Sequence, residues 1–282
     1  MIAKARKNFG RRSLVARNWR TLAGAALVGT VVLGALLGPA LLPHDALKTD
    51  FLATLAPPDG RFWLGTDDLG RDLLARVATG ARVSLLVGSL SVGLALFLGT
   101  TIGLLAGYGG PLGDTLLMRA MDVLFAFPSI LLALAITAVL GPSLGNVIIA
   151  IAVVYTPVFA RLARAQVLVV RELAYVEAAR AMGFRRGQIL FGTILPNVAG
   201  PLIVQGSLLF ASAIITETYL SFLGLGVQPP QPSWGSMLRD AIGFMEIAPW
   251  MAWYPGIAIF MAVLGFNLLG DGLLDRFDPR RA

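Results

Sequence analysis

The strongest constraint in this sequence is where it carries no charge. Leu22–Leu42 runs for 21 residues, Val83–Gly107 for 25 and Val123–Ala160 for 38 without an Asp, Glu, Lys or Arg. A hydrocarbon core about 30 Å thick is crossed by roughly 20 helical residues. The first two runs are each long enough for one crossing. The third holds two, with Gly141-Pro142-Ser143 as the break between them. Gly187–Thr216, entering the membrane near Pro196 or Asn197, and Ile247–Gly270 supply two more. The pattern predicts an all-α integral membrane protein with six transmembrane helices. Composition agrees: 56% of the 282 residues are hydrophobic, 14% are charged and the mean hydropathy is +0.76, values foreign to a soluble domain of this size.

The placement of charge orients these spans. Residues 1–20 hold seven basic residues and no acid, and Arg161–Pro196 holds six arginines against Glu172 and Glu177. Basic segments flanking spans face the cytoplasm. Six spans with both ends inside put 16 Lys or Arg on the cytoplasmic face and five outside, with Arg82 and Arg119 at span ends. The expected organisation is a cytoplasmic N-terminus (1–20), a first span (21–43), an extracytoplasmic loop (44–82) and a core with five spans (83–272). Inside that core lie a cytoplasmic loop at 161–196 and an external loop at 223–248; a cytoplasmic tail (273–282) ends the chain. The apolar run near the N-terminus exceeds the roughly 7–15 residues of a signal peptide, so a retained span is expected. The net charge of +7 sits in loops and at span ends, as topology requires, and does not point to nucleic acid.

Several chemistries lack their residues. The sequence has no cysteine, one histidine (His44) and three lysines, none in a GxxxxGK[ST] loop. No metal site, nucleotide motor, cofactor or catalytic group is expected in this chain. Asp114, Arg119 and Asp122 fall near the inner end of the third span, at a spacing that permits an Arg119–Asp122 pair. Gly99, Gly103 and Gly107 form a small-residue stripe suited to close helix packing. Glu217 falls near the outer boundary of its span. Trp234 and Trp250 fit an interfacial aromatic belt, beside an external loop that can dip back into the membrane.

The central basic segment predicts a short helix over Ala174–Met182, rich in helix formers and stopped by Gly183. Glu177-Ala178-Ala179, Gly183 and Ile194-Leu195-Pro196 resemble the EAA loop of ABC-importer permeases, with Thr193 departing from the apolar residue usual there. Two further stretches, Leu64–Asp72 (LGTDDLGRD) and Glu217–Pro230 (ETYLSFLGLGVQPP), resemble the dipeptide, oligopeptide and nickel branch of that family. For the first of these a structural role is favoured over ligand contact, through a salt-bridged turn and helix start.

The resemblance implies the type I ABC importer fold with a cytoplasmic coupling helix, and ATPase coupling through Glu177, Ala178, Ala179 and Gly183. It implies a bacterial inner-membrane protein working with a second homologous permease, two ATPase subunits that hold the ATP and magnesium, and an extracytoplasmic binding protein. The expected cargo is di- or oligopeptide, with nickel chelates or glutathione as alternatives. An ion-driven transporter is the second reading. It needs an ionisable group near the bilayer centre, for which Glu217 is the best candidate.

Overall fold

Proline decides how the first two helices meet. In the computed structural model, which describes residues 2–277 and the side chains of 19–275, α1 (Ile2–Leu41) carries Pro39 within it. Proline has no N–H, so the carbonyl of Ala35, one turn back, loses its helical partner. Arg82 Nε donates to that carbonyl at 2.5 Å, and its NH2 donates to Leu36 O at 2.9 Å. Arg82 therefore lies inside α2 (Leu73–Gly109) and not at a span end. The second helix begins ten residues before the uncharged run, because Arg76 and Arg82 both find buried partners. The predicted basic side chains of residues 1–18, and residues 278–282 of the predicted tail, lie outside the described residues.

The third crossing is broken. α3 (Pro111–Phe125) and α4 (Ser129–Leu140) meet at 88° across Ala126–Pro128. Pro128 removes a helical donor, and Ala126 and Phe127 lead into the new direction. Among the described residues five helices are long and apolar enough to cross a membrane, and the bent pair, taken as one span, brings the number to six. α5 (Leu144–Val170) follows, then the short α6 (Ala174–Ala181) and α7 (Arg186–Ile189). A π-turn at Leu190–Ile194 joins α7 to α8 (Leu195–Phe222). The segment after α8 contains α9 (Trp234–Ala241), and α10 (Trp250–Phe277) closes the described chain.

The central bundle is α2 against α5, and the glycine stripe makes it possible. A Cβ on Gly99 would lie 2.5 Å from Phe159 Cβ. One on Gly103 would lie 2.6 Å from Ala163 Cβ, and one on Gly107 2.8 Å from Val167 Cγ1. Without hydrophobic drive between helices in lipid, such close approach supplies the dispersion contact that holds them. Phe159, Ile151, Val176, Ile194 and Val198 form the buried core along α5, α6 and α8. A second core joins α1, α9 and α10 around Trp234 and Met251.

The segment between α1 and α2 is built on Asp67. Its carboxylate accepts from Arg71 Nε at 2.6 Å and from the N–H groups of Leu69 and Arg71 at 2.9 Å, and Arg76 Nε lies at 3.1 Å. Asp72 caps α2 through Ala75 N–H and pairs with His44 Nδ1 at 2.7 Å. Gly70 (φ +71°) lies against the Asp50 carbonyl, where any Cβ would collide. These contacts give Leu64–Asp72 a structural role, fastening the loop before α2 to the start of that helix. Trp234 does not face an interfacial belt. Trp234 is buried and donates from Nε1 to Val77 O at 3.0 Å, and Trp250 Nε1 donates to Thr66 O at 3.1 Å. Each indole ties two distant segments together because its one polar atom finds a backbone carbonyl.

Candidate functional site

α6 is amphipathic and half embedded. Val176 and Ala179 face the core, with Ala179 only 4% exposed, whereas Glu177, Ala178 and Gly183 lie on the surface. Three of the four predicted coupling residues thus share an open face. Ala179 does not: its small side chain lets α6 lie close on the bundle and is unavailable to a partner. Glu177 in the first turn and Arg180 in the last each complement the helix dipole.

The end of α6 is closed by a Schellman motif. Phe184 N–H donates to Ala179 O at 3.2 Å and Gly183 N–H to Arg180 O at 3.0 Å. This closure needs Gly183 in the left-handed region, where it sits at φ +82°. The chain then turns at once into α7 and α8. α6 is therefore fixed at both ends to membrane-crossing helices, α5 before it and the α7–α8 run after it.

Ion pairs tie the same segment to α3. Arg164 holds Asp114 through two hydrogen bonds, Nε–Oδ1 at 2.5 Å and NH2–Oδ2 at 2.6 Å. Arg161 NH2 donates to Asp122 Oδ1 at 2.7 Å and its guanidinium lies 4.0 Å from the Phe125 ring centroid. The predicted Arg119–Asp122 pair gives way to this arrangement, because α5 carries Arg161 to within reach of Asp122. Arg161 and Arg164 sit on α5 itself, so the helix outruns the uncharged sequence by ten residues. Arg171, just past α5, donates to Gly107 O at 2.8 Å, capping the carbonyl end of α2. The sequence showed all these residues but not their pairing, since each pair joins positions 39 to 64 residues apart.

A second polar cluster lies at the opposite end of the bundle. Glu217, 1% exposed near the end of α8, accepts from Ser84 Oγ at 2.9 Å and Ser221 Oγ at 2.6 Å. The carboxylate links α2 to α8 and lies in the last turns of α8. A further cavity of about 390 Å³ opens at the α3–α4 break, against Tyr155, whose hydroxyl shares a 3.0 Å hydrogen bond with Thr216. Among the described residues no group of three His, Cys, Asp or Glu is arranged to hold a metal ion.

A bundle of membrane-crossing helices with a capped amphipathic helix braced on its basic face is the membrane domain of a transporter. The chain belongs to the binding-protein-dependent transport system inner membrane component family, whose model matches residues 99–282. This family has the type I ABC permease fold, and the chain is a multi-pass inner-membrane protein. It is 47% identical to a dipeptide transport system permease protein of Alkalihalophilus pseudofirmus, over 94% of this chain and 87% of the relative. Against a glutathione transport system permease protein of Pectobacterium atrosepticum the identity is 45%, over 97% and 91%. A di/tripeptide transport system permease protein of Pseudomonas aeruginosa is 46% identical over 94% and 89%.

Proposed function

We propose that this chain is the non-catalytic permease subunit of an ATP-driven importer of di- and oligopeptides. It works with a second homologous permease, two ATPase subunits that bind ATP and magnesium, and an extracytoplasmic binding protein. Both termini are cytoplasmic. The observation that carries the reading is α6: an exposed Glu177 and Ala178 on a helix whose end is locked by Gly183 and whose neighbours in sequence are two spans. Glu177 accepts charge-assisted hydrogen bonds from an ATPase groove, and the surface there is open because Ala178 and Gly183 are small.

Alternating access follows from the bracing. ATP-driven closure of the motor subunits displaces α6. α5 moves with it and carries α3 through Arg161–Asp122 and Arg164–Asp114. The tight α2–α5 seam passes the motion outward. Motion transmitted this way needs a contiguous rigid element, which the glycine contacts and ion pairs supply. The pathway opens between the two permeases, receives cargo from the binding protein, and returns inward on hydrolysis.

Peptide cargo is supported by relatives named for dipeptides and di/tripeptides, and glutathione, itself a peptide, is named for another. A nickel chelate is the remaining alternative. An ion-driven mechanism is disfavoured by Glu217, which accepts from two serines, joins α2 to α8 and lies away from the middle of α8. The test is reconstitution of the complete complex in proteoliposomes with the cognate binding protein loaded with dipeptide, glutathione or nickel chelate. Uptake of peptide that needs ATP and binding protein is expected. Uptake driven by an ion gradient without ATP would refute the proposal.

A further inference from the structure

Two cavities of opposite chemistry follow one another along the same pair of helices. The apolar one, about 330 Å³, runs between α2 and the start of α8, with Phe97, Leu104, Phe191 and Ala199 among its walls. The basic one, about 470 Å³, is lined by Tyr108, Arg171, Glu172, Arg180, Arg186 and Ile189, with Phe184 at its rim. On α2, Leu104 in the first is one helical turn from Tyr108 in the second. Opposite α2, Ile189 of the basic cavity and Phe191 of the apolar one are two residues apart in the chain. The basic cavity therefore continues the apolar groove where the bundle meets the basic face.

The charges in the basic cavity are only partly spent. Arg171 uses Glu172 at 2.8 Å and the Gly107 carbonyl at 2.8 Å. Arg180 lies 5.4 Å from the Tyr108 ring centroid, and no carboxylate among the described residues pairs with it or with Arg186. Two guanidinium groups thus face a cavity whose single acid is already paired. Guanidinium forks match phosphate oxygens, and basic pockets at the cytoplasmic ends of membrane helices take anionic headgroups. The groove beside them is apolar and uncovered by this chain at Phe97 (68% exposed) and Phe191 (61% exposed). A free anion would use only the basic part, and an apolar helix only the groove. A molecule with both a phosphate and an acyl chain uses both.

We infer that this paired cavity binds an anionic phospholipid, its phosphate against Arg180 and Arg186 and one acyl chain between α2 and α8. The inference rests on the proposed cytoplasmic placement of the basic segment. It adds a lipid contact at the point where α6, α2 and α8 converge, so the lipid braces the coupling segment against the bundle.

The test uses the complete transporter, purified and delipidated in detergent. Native mass spectrometry and thermal melting are read with phosphatidylglycerol, phosphatidylcholine or inorganic phosphate. Retention and stabilisation by phosphatidylglycerol above phosphatidylcholine are expected. The double variant Arg180→Gln/Arg186→Gln is expected to bind phosphatidylglycerol about 30-fold more weakly, taking roughly fivefold per basic residue at a membrane surface. Ala199→Phe, which fills the groove and leaves the arginines, is expected to weaken it as well.

Equal retention of the two lipids, or undiminished phosphatidylglycerol binding by the double variant, overturns the inference. So does stabilisation by phosphate alone equal to that by the lipid, which would mark a simple anion site. Release of the ATPase subunits by the double variant with lipid retention intact would assign the arginines to motor docking, and also overturns it. Labelling of Phe184→Cys by an impermeant maleimide from outside intact cells would sink the proposed topology, whereas the lipid readout in detergent does not depend on orientation.

Discussion

Replacing Gly183 isolates the mechanical role of the α6 terminus. Gly183 sits at φ +82°, and nothing lies within 4 Å of where a Cβ would be. Gly183→Ala therefore meets no steric obstacle, and its whole cost is backbone. Holding an L-residue in the left-handed region costs about 1–2 kcal/mol. That shifts the balance between the closed and frayed helix end by a factor of roughly 5–30. The bonds at risk are Phe184 N–H to Ala179 O and Gly183 N–H to Arg180 O. Neither is in the bundle, so membrane insertion and the melting of the core are expected to stay unchanged. What falls is substrate taken up per ATP hydrolysed, measured in proteoliposomes holding the complete transporter. Gly183→Asn is expected to recover most of the ratio, because Asn tolerates this conformation. Gly187→Ala, a helical glycine with equally open surroundings, serves as the control and is expected to be neutral. A wild-type ratio in Gly183→Ala, or equal impairment in Gly183→Asn, would refute the reasoning.

Other parts of the molecule make separate predictions. Asp67→Ala strands Arg76, 4% exposed, and leaves Arg71, 10% exposed, only the longer 3.6 Å pair with Asp68. Loss of one partner from a buried pair costs about 3–5 kcal/mol, so the variant is expected to melt well below wild type in detergent; an unchanged melting temperature would count against the Asp67 hub. Gly103→Val forces a side chain into Ala163 and the Arg164 backbone and is expected to cost about 1–3 kcal/mol. Gly93→Ala on the same helix meets nothing within 4 Å and is expected to be neutral or slightly stabilising, so similar losses in both would discredit the packing argument. Glu217→Gln keeps one acceptor oxygen and offers an NH2 donor to the second serine oxygen, whereas Glu217→Ala leaves both buried hydroxyls bare at about 1–3 kcal/mol. Melting of the two variants is expected to separate accordingly, and identical behaviour would argue against Glu217 as a fastening of α2 to α8.

How far the sequence was legible depended on the range of each interaction. The stop at Gly183 and the spans at Leu22–Leu42 and Ile247–Gly270 were readable because helix caps and bilayer thickness act locally along the chain. The start of α2 was misjudged because Arg76 and Arg82 look like solvent residues until Asp67 and the Ala35 carbonyl are brought beside them. The third span was taken as a plain helix because Pro128 alone does not specify an 88° bend. Trp234 read as a belt residue because its carbonyl partner lies 157 residues away.

By itself the sequence determined that this chain crosses a membrane as helices, and it marked the basic, capped segment between the fourth and fifth spans. Both follow from free energies that scale with local composition: the cost of charge in hydrocarbon, and the backbone freedom of one glycine. Only the tertiary structure decided which face of α6 stays open, with Ala179 turned inward and Glu177 outward, and which acids hold which arginines. Those outcomes depend on helix ends meeting in space, where a single buried partner reverses the cost of a charge.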